Sequence, residues 1–168
     1  MPVERFALGD PAEVAARVRS LAPGAASVAD QVAAIVADVR ERGDAALTEY
    51  VRRFDGVEGP LRVEAGGEVD PAVRAGLEVA IANVRAVAEA GLGDERGVML
   101  PQGQTVTLRE IPVRRAAVYV PGGRAPYPST VVMGVITARV AGVEEVVVCA
   151  PGAHRLILAA CALCGADA

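Results

Sequence analysis

The chain has 168 residues, a net charge of −4 from 17 basic and 21 acidic residues, and a hydrophobic fraction of 52%. That length admits one ordinary domain, or a small helical unit followed by an incomplete second one. Nucleic acid is excluded as a partner, because phosphate binding needs a positive stripe and the arginines here are interleaved with carboxylates. Every basic residue is Arg, which removes a Schiff-base lysine and a Walker-A lysine. The longest apolar runs fall far short of a membrane span, and MPVERFALGD has no signal-peptide core. The expected setting is the cytoplasm, without membrane contact.

Asp10-Pro11 starts the first predicted helix, with Asp10 as N-cap, Pro11 at the first helical position and Val14, Val18 and Leu21 on one face. Pro23-Gly24 ends it. A longer helix from about Ser27 carries Val28, Val32, Ile35, Val36 and Val39 at helical spacing. Gly43-Asp44 breaks or re-caps it, and Leu47, Tyr50, Val51 and Phe54 continue the stripe to Asp55-Gly56, as in a helical hairpin or a kinked pair. Asp70-Pro71 repeats the cap-plus-proline start for a third amphipathic helix through Val73, Leu77, Ile81, Val84 and Val87. Weak alternation between Val98 and Glu110 predicts a short strand or ribbon.

The pattern changes at Val113. Ala116 to Val120 and Glu145 to Cys149 are compact apolar runs, each followed by a helical segment, Thr130 to Val140 and Leu156 to Leu163. Continuous apolar strands in β-α-β-α order predict a parallel sheet covered on both faces. The fold class is therefore α/β: an N-terminal helical region followed by the first β-α-β-α units of an incomplete Rossmann-like parallel sheet. The expected divisions are a helical arm over 1–24, a helical region with a strand or ribbon over 25–112, and the Rossmann-like domain from 113 to 168. A third strand is due after Gly165, so the end of the chain reads as an interruption.

The loop from Pro121 to Ser129 follows the carboxyl end of the first parallel strand and leads into a helix, the place where open α/β sheets bind ligands. Gly122, Gly123, Arg124 and Ser129 suit an anionic group, but three prolines also suit a stiff connector. Tyr119 either covers the sheet edge or stacks on a planar cofactor group. His154 and Cys161 lie about 10 Å apart along one predicted helix, too far to share a zinc ion. Cys149, Cys161 and Cys164 are expected to be packing residues, and Asp38, Glu41, Asp44 and Glu49 a solvated helix face.

Two stretches carry a resemblance. RRAAVYVPGGRAPYPSTVVMGVITARVAGVEEVVVCAPG and, upstream, VADVRERGDAALTEYVRRFDGV are similar, in this order and separation, to the N-terminal part of the histidinol dehydrogenase family. The resemblance implies an NAD-dependent, zinc-containing homodimer that oxidises L-histidinol through L-histidinaldehyde to L-histidine. It assigns Tyr119, in the Tyr-Val-Pro-Gly-Gly motif, to NAD binding, with Gly122 and Gly123 as backbone shape around it. It also implies that the catalytic residues and zinc ligands lie outside these 168 residues, that His154 is not the catalytic histidine, and that the fragment alone is inactive. Ala117 stands where the family has Gly and Thr137 where it has Pro; loss of the proline favours the helix. The competing expectation is a non-catalytic nucleotide-binding or assembly module derived from the same fold.

Overall fold

Aspartate before proline starts two helices by one mechanism. The side chain satisfies an orphan N–H of the first turn, and the proline occupies a position where no donor is needed. The computed structural model describes residues 7, 9–21, 26–121, 125–152 and 154–168, which divide into two units, Met1–Tyr50 and Val51–Ala168.

In the first unit Asp10 accepts a hydrogen bond from the Ala12 N–H at 3.0 Å and opens helix α1, Pro11–Ser20. The expected stop at Pro23-Gly24 lies outside the described residues. Helix α2 spans Ala26–Arg42 and α3 spans Asp44–Asp55. Between them only Gly43 leaves the helical conformation, at φ +59°, so the pair is kinked by one left-handed residue that glycine adopts without strain. The apolar stripe is present but half-exposed at Val18, Leu21, Val28 and Val32. Among the described residues of this unit, Ala46 alone is fully buried.

The solvated acidic face is more structured than its composition implies. Arg42 donates from Nε and Nη2 to the Asp38 carboxylate at 2.6 and 2.7 Å and grips Glu49 at 3.0 and 2.9 Å, and the Tyr50 hydroxyl donates to Asp38 at 2.8 Å. The Arg42 bonds, then that from Tyr50, lower the Asp38 carboxyl to about 2. A depressed acid stabilises the fold fully above its unfolded value and loses that contribution as pH falls through the folded one. The Arg42 Nε–H resonance is therefore expected to titrate near pH 2 rather than near ~4, and Asp38→Asn to abolish the transition. A midpoint near 4 in the wild-type chain would show that the cluster does not hold.

In the second unit Asp70 caps α4, Pro71–Gly91, accepting from the Ala72 N–H at 2.8 Å. Strands β1, Arg96–Met99, and β2, Thr105–Leu108, pair antiparallel with Val98 opposite Val106, as an exposed ribbon. The β-α-β-α series follows as β3, Arg115–Tyr119; α5, Pro128–Val140; β4, Glu145–Cys149; and α6, Arg155–Cys164. Strands β3 and β4 are parallel, in register from Arg115 opposite Glu145 to Tyr119 opposite Cys149. Helix α5 runs unbroken through Thr137. After α6 the Asp167 N–H donates to the Val146 carbonyl at 2.9 Å, and the Val148 N–H donates to the Ala168 carbonyl at 2.6 Å. The last residues thus begin to add to the free edge of β4, where a third strand is expected.

Helix α5 is apolar over most of its surface, with Ser129, Met133 and Thr137 on one exposed face. It packs on β3, β4, α4 and α6, and its Val131, Val132, Val135 and Ile136 join Val120, Val146, Leu77 and Ile157 in the core. The covering is one-sided. Ala116, Val118, Val120, Val146 and Val148 belong to this core or pack against it, whereas Arg115, Ala117, Tyr119 and Cys149 are exposed on the opposite face, where Arg115 pairs with Glu145 at 2.7 Å. The expectation of a sheet covered on both faces is corrected for the described residues. The single crossover β3-α5-β4 places its helix on one side, and α6 packs beside α5.

Candidate functional site

The carboxyl ends of β3 and β4 meet at Tyr119 and Cys149, directly opposed in the ladder. The next link is the Val120 N–H donating to the Cys149 carbonyl at 2.8 Å, and the Val120 side chain is buried beneath them. Alternation then fixes Tyr119 on the open face, where it is 67% exposed. Its ring does not seal the end of the sheet.

Two helices begin at this end of the strands. Helix α5 starts at Pro128 after Tyr127, which makes no side-chain cap; Pro128 has no N–H and the Thr130 N–H donates to the Tyr127 carbonyl at 3.1 Å, which leaves the Ser129 N–H as the first-turn donor at the positive end of the helix dipole. Helix α6 is capped by His154, whose Nδ1 accepts from the Leu156 N–H at 3.2 Å. His154 therefore has a structural task, one that requires an unprotonated Nδ1. The expected loop residues Gly122, Gly123 and Arg124 lie outside the described residues, and Ser129 is exposed in the first turn of α5.

The cysteines divide. Cys161 and Cys164 are buried in the core. Burial raises both thiols, that of Cys164 to about 11, so they stay protonated and unreactive near neutrality. Cys149 is exposed, which corrects the expectation that all three pack inside. As the last residue of β4 it falls on the uncovered face. Among the described residues no group of three or more His, Cys, Asp and Glu side chains could hold a metal ion, and no helix is long and apolar enough to cross a membrane.

The composition hid one residue that organises this unit. The Arg139 guanidinium, at the end of α5, donates to the carbonyls of Gly165, Val143 and Glu144 and to the Asp167 carboxylate. Its partners lie up to 28 positions away in sequence, so no local spacing could reveal it. The His154 cap and the Asp38–Arg42 pair had local signals, a cap position before an apolar run and an acid four residues before a base.

The family model described as histidinol dehydrogenase matches residues 20–168. The chain is 42% identical over 164 residues to a histidinol dehydrogenase of Methanosarcina mazei, covering 90% of this chain and 38% of the relative. It is 46% identical over 156 residues to one of Nocardia farcinica, covering 84% of this chain and 35% of the relative. A crystal structure of histidinol dehydrogenase from Elizabethkingia anophelis superposes with a TM-score of 0.72 at 21% identity, over 83% of this chain and 35% of that one, a likeness of fold. The chain thus spans well under half the length of the relatives it matches.

Proposed function

This chain belongs to the histidinol dehydrogenase family, and from that premise we propose that it forms the cofactor side of a cytoplasmic, homodimeric enzyme that oxidises L-histidinol through the aldehyde to L-histidine. The observation that carries this reading is the exposed Tyr119 ring at the carboxyl end of β3, at the end of the sheet where α5 begins without a side-chain cap. A flat, exposed phenol offers stacking area and a hydroxyl to a planar ring. The Ser129 N–H in the first turn of α5, with the helix dipole behind it, offers a donor to a phosphate. These are the two chemistries of a dinucleotide, and NAD would be held by Tyr119 and the first turn of α5, with Gly122 and Gly123 shaping the loop between. When bound, NAD supplies an acceptor for hydride. This chain's own part is to bind and orient it.

Zinc does not fit the described residues, whose donors are not grouped for it. With 35 to 38% of the length of the relatives named above, we infer that the 168 residues alone do not reduce NAD with histidinol.

The test is NAD affinity by equilibrium dialysis. Tyr119→Ala is expected to weaken binding about tenfold, the scale of a lost stacking contact, while stability changes by less than about 0.5 kcal/mol because the side chain is mostly exposed. Unchanged affinity in Tyr119→Ala would refute the assignment. Robust NADH formation from histidinol by the chain alone would refute the division of labour.

A further inference from the structure

Helix α5 approaches β3 more closely than a side chain at Gly134 would allow. A Cβ built on Gly134 would stand 2.6 and 2.8 Å from the two methyl groups of Val118 and 3.3 Å from its Cβ. Both methyl groups face the helix, so no single rotamer change of Val118 clears the space. The valine fills the hollow above the glycine, and the helix rests on it.

The two ends of α5 are held differently. Its C-terminal end is tied by Arg139 to Gly165, Val143, Glu144 and Asp167. Its N-terminal end starts at Pro128 with no side-chain cap, six residues or about 9 Å along the axis from Gly134. Tyr119 directly follows Val118 on the strand. With the Arg139 end tied, a wider Val118–Gly134 separation would move the Pro128 end of α5 relative to Tyr119, against the packing of Val131 and Val132.

We propose that Val118 and Gly134 are a positioning pair, which sets the distance between the Tyr119 ring and the first turn of α5 and thereby the span available to a bound dinucleotide. This rests on the reading of Tyr119 as a cofactor contact. Neither residue touches the cofactor; each acts through the seat of the helix.

The experiment compares the wild-type chain, Gly134→Ala and the double variant Gly134→Ala/Val118→Ala by NAD affinity, amide chemical shifts and urea unfolding. Gly134→Ala is expected to weaken NAD about tenfold, the scale of one lost stacking contact, and to move the amides of Tyr119, Val120, Ser129 and Thr130. The double variant removes both clashing methyl groups; it should restore affinity to within about twofold and return those shifts while remaining less stable than wild type, because a core valine is truncated. Affinity that simply tracks stability across the variants, or a folded Gly134→Ala with unchanged affinity and shifts, would overturn the proposal.

If the wild-type chain binds no NAD, the Tyr119 reading fails separately. The shifts then decide: displacement at residues 119, 120, 129 and 130 that the double variant reverses supports the pair, and changes confined to the immediate neighbours of Gly134 overturn it. If Gly134→Ala does not fold, Val118→Ala, which loosens the seat from the strand side, should weaken NAD about threefold and shift the same four amides, and no change in either would overturn it.

Discussion

Ile136→Ala is expected to destabilise the Val51–Ala168 unit by roughly 3 to 4 kcal/mol, within the range for deleting a fully enclosed aliphatic side chain. Ile136 has no exposed surface and lies among the core residues contributed by α4, α5, α6 and β4. The loss has two parts, the transfer energy of the deleted carbons and the cavity left where packed elements on several sides limit collapse. At a urea dependence of about 2 kcal/mol per molar the unfolding midpoint should fall by roughly 1.5 to 2 M. Ile111, the same residue type but 73% exposed, provides the control: Ile111→Ala should change stability by less than about 0.5 kcal/mol. Equal effects at the two positions would show that α5 is not the centre of the core.

Arg139→Ala should cost roughly 2 kcal/mol, from the loss of charge-assisted bonds to three carbonyls and one carboxylate. The distances are 2.7 and 3.2 Å to Gly165, 3.2 Å to Val143, 2.7 Å to Glu144 and 2.6 Å to Asp167. One planar guanidinium thus joins the end of α5, the approach to β4, the left-handed Gly165 that ends α6, and the segment that begins to pair with β4. A lysine offers a single ammonium with no fork, so Arg139→Lys should recover less than half of the loss. Asp167 adds a pH signature. Its carboxyl is held below the usual range first by the Val146 N–H and then by Arg139, so its contribution is present above about pH 4 and fades as pH falls further. Arg139→Ala should flatten that acid limb of the urea-midpoint profile without removing it, because the Val146 bond remains. An unchanged midpoint and profile would contradict the clamp.

The elements were legible where the sequence carries local chemistry. Asp10-Pro11 and Asp70-Pro71 mark helix starts that the backbone adopts, and the two β-branched runs separated by an apolar helix give the parallel pairing of β3 with β4. Gly103, at φ +94°, turns the weakly alternating stretch into two short strands rather than one. What could not be read depends on contacts distant in sequence. The uncovered sheet face follows from where α5, α6 and α4 pack, and that face exposes Cys149 although the residue sits in an apolar run. Arg139 looks like any surface arginine until the chain brings Gly165 and Asp167 to it. At the candidate site Tyr119 was marked by its motif, while its exposure follows from strand alternation combined with one-sided packing. The Val118–Gly134 approach has no signature in sequence beyond a glycine inside a helix.

The most direct measurement is an amide-resolved NMR titration of the 168-residue chain with NAD. Saturable shifts are predicted at Tyr119, Val120, Ser129 and Thr130, and they should be greatly reduced in Tyr119→Ala at the same NAD concentrations. Saturable shifts located instead on α1 to α3 or on the β1–β2 ribbon, or no saturable shift at the carboxyl ends of β3 and β4, would contradict the claim that this end of the sheet is the cofactor side.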